Sequence, residues 1–247
     1  MLNLIKTLMS MSLFCMIIAC GGGGGGGGGS SPPQDGAWQG PVLAESAETG
    51  GATNVRLAVG RNGHAVVSWS VFHGAGLADV FVNHYDPATG WQGAVAPSRD
   101  MDHATYPNME LVVDGAGNAL GVWGERQTGL PGDPSTFFAT TYDAGSATWS
   151  GAVAMESDDT GKADRVAIAA GPGGSFWVLF GLNMGTSMEI RVNRYTPAGG
   201  WSGPVLLDSA EWDPADTYLG QLDIAVDAGG NAVAAWSRYL DTDSSGD

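Results

Sequence analysis

The segment Trp38-Gln39-Gly40-Pro41-Val42 returns as Trp91-Gln92-Gly93-Ala94-Val95, Trp149-Ser150-Gly151-Ala152-Val153 and Trp201-Ser202-Gly203-Pro204-Val205. The copies lie about fifty residues apart, far beyond any helical or strand period, so they mark a repeated supersecondary unit. Each unit has the same interior. A short apolar strand comes first: Leu57 to Val59, Leu111 to Val113, Ile168 to Ala170 and Ile224 to Val226. A tight turn follows, reading Gly60-Arg61-Asn62-Gly63, Asp114-Gly115-Ala116-Gly117, Gly171-Pro172-Gly173-Gly174 and Asp227-Ala228-Gly229-Gly230. Gly and Asp suit such turns because they tolerate left-handed backbone. A second strand carries an aromatic six residues after the last turn glycine: Trp69, Trp123, Phe180 and Trp236. A third strand ends at Tyr85, Tyr142 and Tyr195, and a Pro/Gly-type turn leads to the next Trp.

Each unit therefore reads as four short antiparallel strands, and no stretch carries a capped helical period. Four-stranded repeats predict an all-β protein, a β-propeller with blades starting near residues 38, 91, 149 and 201. A β-sandwich ranks below it, because a sandwich does not require one unit to repeat. The fixed aromatics are expected to pack blade against blade rather than to stack on ligand. With the strands of a blade labelled A to D from the inside out, the order is D, ABCD, ABCD, ABCD, AB. An incomplete ring of about four blades is the expectation, with the last repeat truncated.

The N-terminus lies outside this pattern. After Lys6, Thr7 to Ile18 is an apolar run of signal-peptide length, shorter than a bilayer span. It ends in Ile17-Ile18-Ala19-Cys20, which resembles the lipobox of bacterial lipoproteins. The resemblance implies a signal peptide over 1–19, lipid on Cys20, and a location in the cell envelope. Gly21 differs from the Asp that resembles an inner-membrane retention signal, so the outer membrane is expected. Gly21 to Gly29, Ser30, Ser31, Pro32 and Pro33 make residues 20–36 a tether reaching roughly 20–25 Å. Residues 37–247 carry the repeats. Cys15 and Cys20 are the two cysteines, so the repeats hold neither disulfide nor thiolate site.

Without Lys6, nine basic residues stand against twenty-six acidic ones, a net charge of −17. That field disfavours nucleic acid as a partner and suits neutral or cationic ligands. Strand alternation puts the A–B and C–D turns on one face and the more variable D–A and B–C connections on the other. Carboxylates and aromatics gather on the variable side, Glu156 and Asp164 among them in the D–A connections and Asp79, Glu125 and Glu189 in the B–C connections, where binding sites usually develop. Candidate ligand-binding residues there are Asp100, Asp102, His103, Asp158, Asp159, Trp212, Asp213 and Asp216, a set suited to a carbohydrate or protein ligand. Asp241, Asp243 and Asp247 alternate around a Gly as calcium ligands do, although a B–C turn would use the same residues. No other cofactor is expected.

The repeats resemble bacterial exported propellers, including the sialidase-like group with its Ser/Thr-x-Asp-x-Gly-x-x-Trp Asp-box hairpins. Asp114 and Asp227 sit three residues before their glycine rather than two, so the resemblance implies the fold and nothing catalytic. No arginine lies in an Arg-Ile-Pro motif, and no nucleophile elbow or His-Glu-x-x-His occurs. The expected function is a membrane-tethered binding or scaffold module acting through the acidic loop face, without catalysis. The alternatives are a sialidase-like carbohydrate-active hydrolase and a purely structural propeller.

Overall fold

A computed structural model describes residues 14–15, 42–45, 51–74, 77–97, 104–105, 109–126, 134–156, 161–211 and 217–240. Among them every regular element is a β-strand, apart from one 3-10 turn at Pro172–Gly174. The fold is a β-propeller. At its start, β1 (Phe14–Cys15) pairs with β2 (Val42–Leu43), so part of the apolar N-terminal run bridges to the first D segment. Blade 1 follows with β3 (Ala52–Val59), β4 (Ala65–Gly74), β5 (Leu77–Asp86) and β6 (Gly90–Trp91), and Val95 extends its outer edge by a bridge to Val82. Blade 2 splits its inner strand into β7 (Ala104–Thr105) and β8 (Glu110–Val113), both on β9 (Ala119–Arg126). Next come β10 (Ser135–Asp143) and the outer pieces β11 (Thr148–Trp149) and β12 (Val153–Ala154). Blade 3 comprises β13 (Lys162–Ala170), β14 (Phe176–Asn183), β15 (Ser187–Thr196), β16 (Gly200–Trp201) and β17 (Val205–Glu211). The fourth unit is a hairpin of β18 (Thr217–Val226) and β19 (Ala232–Leu240).

The turn chemistry explains why the A–B hairpins form. In blade 2, Asp114 Oδ1 accepts from the backbone N–H groups of Ala116 and Asn118, and Oδ2 accepts from the Asn118 amide. Asp227 repeats this on Gly229 and Asn231. Gly117 and Gly230 close these turns at φ +95° and +84°, a left-handed position that disfavours any Cβ. The three-residue Asp-to-Gly spacing that departs from the Asp-box is the spacing this carboxylate cap needs. In blade 1, where Gly60 replaces the Asp, Asn62 Oδ1 accepts from His64 N instead.

The core lies in the seams between blades. Leu120, Val122 and Phe137 of blade 2 pack with Phe176, Val178 and Phe180 of blade 3. Trp123 and Phe138 point the other way, to Val80 and Val82 of blade 1. Both faces of an interior strand are thus buried, each in a different seam, and all of β9 except Arg126 is inaccessible. Trp69, Trp123 and Phe180 are fully buried, as the sequence predicts for packing aromatics. The C-strand tyrosines meet the D-strand tryptophans at the spacings read from the repeat: Tyr85–Trp91, Tyr142–Trp149 and Tyr195–Trp201, with ring centroids 5.1–5.4 Å apart.

Polar stitches cross the seams. Asn83 Nδ2 donates to Ala44 O at 2.6 Å, and Asn193 Nδ2 donates to Met155 O at 3.5 Å, each tying a C strand to the preceding D segment. The indole N–H groups are handled differently in each repeat. Trp123 Nε1 donates to Glu125 Oε1 on its own strand at 2.7 Å, whereas Trp236 Nε1 donates to Asp208 Oδ2 on the preceding blade at 3.0 Å. Trp69 has Val71 where Glu125 would stand, and its buried indole nitrogen has no acceptor among the described residues. Phe180 has no N–H, and Glu156, at the D-strand position of Asp208, instead accepts from the backbone N–H of Phe137.

Candidate functional site

The A strands touch one another in succession, β3 to β8, β8 to β13 and β13 to β18, so they line the inner edge of the array. Each departs from regular pairing at the same height. The ladder shifts between Thr53 and Arg56, between Ala163 and Arg165, and between Leu219 and Leu222. In blade 2 the shift is the break between β7 and β8. A bulge leaves its extra residue out of the ladder and re-aims its side chain. In blade 3 that residue is Asp164, and in the fourth unit Gln221 lies within the shift.

Both line a cavity of about 390 Å³ among blade 2, blade 3 and the last hairpin. Glu110 and Arg165 complete its polar wall, and Phe137 and Leu222 supply apolar surface. Arg165 Nε donates to Leu219 O at 3.1 Å, which joins the two inner strands and holds the guanidinium beside the cavity. Asp164 is solvent-accessible at the mouth, yet crowded by protein. Burial pushes its carboxyl above the usual carboxylate range, against the opposing pull of Arg165. The same burial favours the protonated form of Asp164, and Glu110 supplies a second carboxyl group in the same cavity. Oxygen acceptors and a guanidinium donor beside an aromatic and an aliphatic wall suit a hydroxyl-rich ligand of one or two rings.

The sequence places Asp164 with the acids of the D–A connections and gives no sign that Arg165 beside it faces the same cavity. The structure corrects the placement of several such acids. Asp79, Glu125 and Glu189 lie within strands, and Asp79 and Glu125 are buried there; Glu156, after β12, is buried too. The predicted ligand set, Asp100, Asp102, His103, Asp158, Asp159, Trp212, Asp213 and Asp216, lies outside the described residues. So do Cys20 and the calcium candidates Asp241, Asp243 and Asp247.

The sequence matches no protein-family model and no curated protein. Solved structures do resemble it. A polysaccharide lyase of family PL25, an ulvan lyase bound to -[GlcA(1-4)Rha3S]-, superposes with a TM-score of 0.54 at 12% identity, over 85% of this chain and 57% of the lyase. A protein of unknown function from Dyadobacter fermentans DSM 18053 gives 0.49 at 13% identity, over 81% of this chain and 61% of that one. The endo-arabinase from Bacteroides thetaiotaomicron VPI-5482 gives 0.42 at 13% identity, over 81% and 76%. The chain thus spans less than two thirds of the first two. At such identities the likeness to the lyase shows the shared β-propeller fold, and carbohydrate-active enzymes are prominent among these neighbours.

Proposed function

We propose that this protein is a carbohydrate-active propeller that takes a glycan into the inner-edge cavity, with Asp164 as proton donor and Glu110 as the second carboxylate. The observation that carries the reading is the bulge that sets Asp164, with its raised carboxyl, into one cavity with Glu110 and Arg165. Glycan cleavage needs a proton for the departing oxygen and a second group for the sugar ring or its water. Asp164 fits the first role because crowding favours its protonated form. Arg165 and Gln221 fit the orienting of ring hydroxyls. The acidity of the chain favours neutral glycans over polyanionic ones.

The test is a polysaccharide panel containing arabinan and fructan as neutral members and ulvan as an anionic one. New reducing ends are expected from a neutral member, and Asp164→Asn should abolish turnover while leaving glycan retardation in affinity gels intact. A wild-type protein that neither cleaves nor is retarded by any member overturns the reading. Retardation without turnover restores the alternative of a tethered binding or scaffold module. In either case we place the domain on the cell envelope, in the outer membrane, through lipid on Cys20. A palmitate analogue should label the wild type, and Cys20→Ser should abolish the label and free the protein from membranes.

A further inference from the structure

On the opposite, turn-bearing side, three elements meet between blades 1 and 2. His64 follows the A–B turn of blade 1 and is partly exposed. His84, near the end of β5, is 1% exposed, with its ring stacked on Tyr142 of blade 2 at a centroid distance of 3.9 Å. Gly117 closes the A–B turn of blade 2 and lies against the His64 ring, where a Cβ would stand 2.8 Å from Cγ. His64 Nδ1 is 3.3 Å from His84 Nε2, which is 3.2 Å from the carbonyl oxygen of Gly117.

The lone pairs here outnumber the protons. A neutral imidazole carries a single N–H, so His84 has one proton for its two ring nitrogens. With that proton on Nε2, it is shared by two acceptors, and the buried Nδ1 is left without a partner. With the proton on Nδ1, the Nε2 lone pair faces the Gly117 oxygen. The carboxylate of Asp86 adds negative potential toward both rings. With the His84 proton on Nδ1, a cation between these atoms would turn the meeting of the Nε2 lone pair with the Gly117 oxygen from repulsion into shared coordination. The spacing suits one: atoms 3.2–3.3 Å apart subtend about 105° at an ion 2.0–2.1 Å from each, close to the tetrahedral angle.

We propose that His64 Nδ1, His84 Nε2 and the Gly117 carbonyl oxygen form a divalent transition-metal site that clamps blade 1 to blade 2, with its fourth position toward solvent. Among the described residues no three His, Cys, Asp or Glu side chains gather as a metal centre, so the backbone carbonyl is what completes this one. Imidazole nitrogens favour zinc, copper, nickel or cobalt over calcium and magnesium. The site is independent of the glycan cavity and stands or falls separately from it.

The test uses the full chain, stripped with chelator and titrated with Co²⁺ and Zn²⁺, against His64→Gln. That residue is partly exposed at the edge of the seam, so the variant should fold with the metal-free melting temperature of wild type. The wild type should develop the visible absorption of tetrahedral Co²⁺ and melt higher with stoichiometric Zn²⁺. The variant should show neither. Cys15 and Cys20 are common to both proteins, so the difference reports the histidine site. No uptake by wild type, or equal uptake and stabilisation in the variant, overturns the proposal.

Discussion

Blade 2 and the last hairpin are built from the same repeat, yet they live in different surroundings. In blade 2 both faces of β9 are buried, one against blade 1 and one against blade 3. In the hairpin, Leu222, Ile224, Val226, Ala234 and Trp236 pack on blade 3, while Val233 is 73% and Tyr239 61% exposed on the other face. The same motif positions therefore carry different energies, since a repeat array is stabilised by its seams rather than by its units.

The widest test of that contrast is the tryptophan pair. Trp123→Ala should cost about 3–5 kcal/mol in urea melts, and Trp236→Ala a small part of that. Equal losses would mean that the outer face of the hairpin is covered in solution. Acid is the next lever, and above the carboxylate range it acts, in the metal-free chain, through an interior histidine. His84 is held neutral with a pKa of about 4 against an ordinary 6.5, so the unfolded chain binds its proton more readily. Stability should therefore fall as pH drops from about 6.5 to 4, by at most about 3 kcal/mol. His84→Phe keeps a ring on Tyr142 and should flatten that segment of the pH profile. An unchanged profile would clear His84 of the effect.

Smaller differences sharpen the comparison. Glu125→Ala strands the buried indole N–H of Trp123 and should cost about 2 kcal/mol, more than Asp208→Ala costs at the better-solvated Trp236. Denaturation midpoints of the two variants decide it. Smallest is the turn glycine pair. Gly230→Ala meets only its left-handed φ, because the nearest atom to a Cβ is 3.6 Å away, and should cost about 1 kcal/mol. Gly117→Ala adds a clash with the His64 ring and should cost more. Identical melting shifts would show that the His64 ring swings aside freely.

Much of this architecture is legible in the repeat. The Trp-led strands, the turns with glycine at their close and the aromatics behind them locate nearly every blade strand. Fewer cues mark the cavity. Asp164 earns its place through a one-residue bulge, and nothing in Lys162-Ala163-Asp164-Arg165 distinguishes a bulged strand from the end of a polar loop. The buried acids Asp79 and Glu125 were assigned to loops because strands usually betray themselves by alternation. Here interior strands bury both faces, so alternation disappears. His64 and His84 are twenty residues apart and meet Gly117 only across a seam, a coincidence that pairing within one repeat does not reveal.

The varied handling of the indole N–H has an evolutionary reading. A blade that carries its own acceptor, as Trp123 carries Glu125, can be duplicated or exchanged without its neighbour. A hairpin like the last one cannot be moved alone, because Trp236 relies on Asp208 on the outer strand of the preceding blade. Phe180 solves the problem by having nothing to satisfy. The same repeat position thus occurs in self-contained and neighbour-dependent forms. Exchange points should therefore fall between Asp208 and Trp236 less readily than around blade 2.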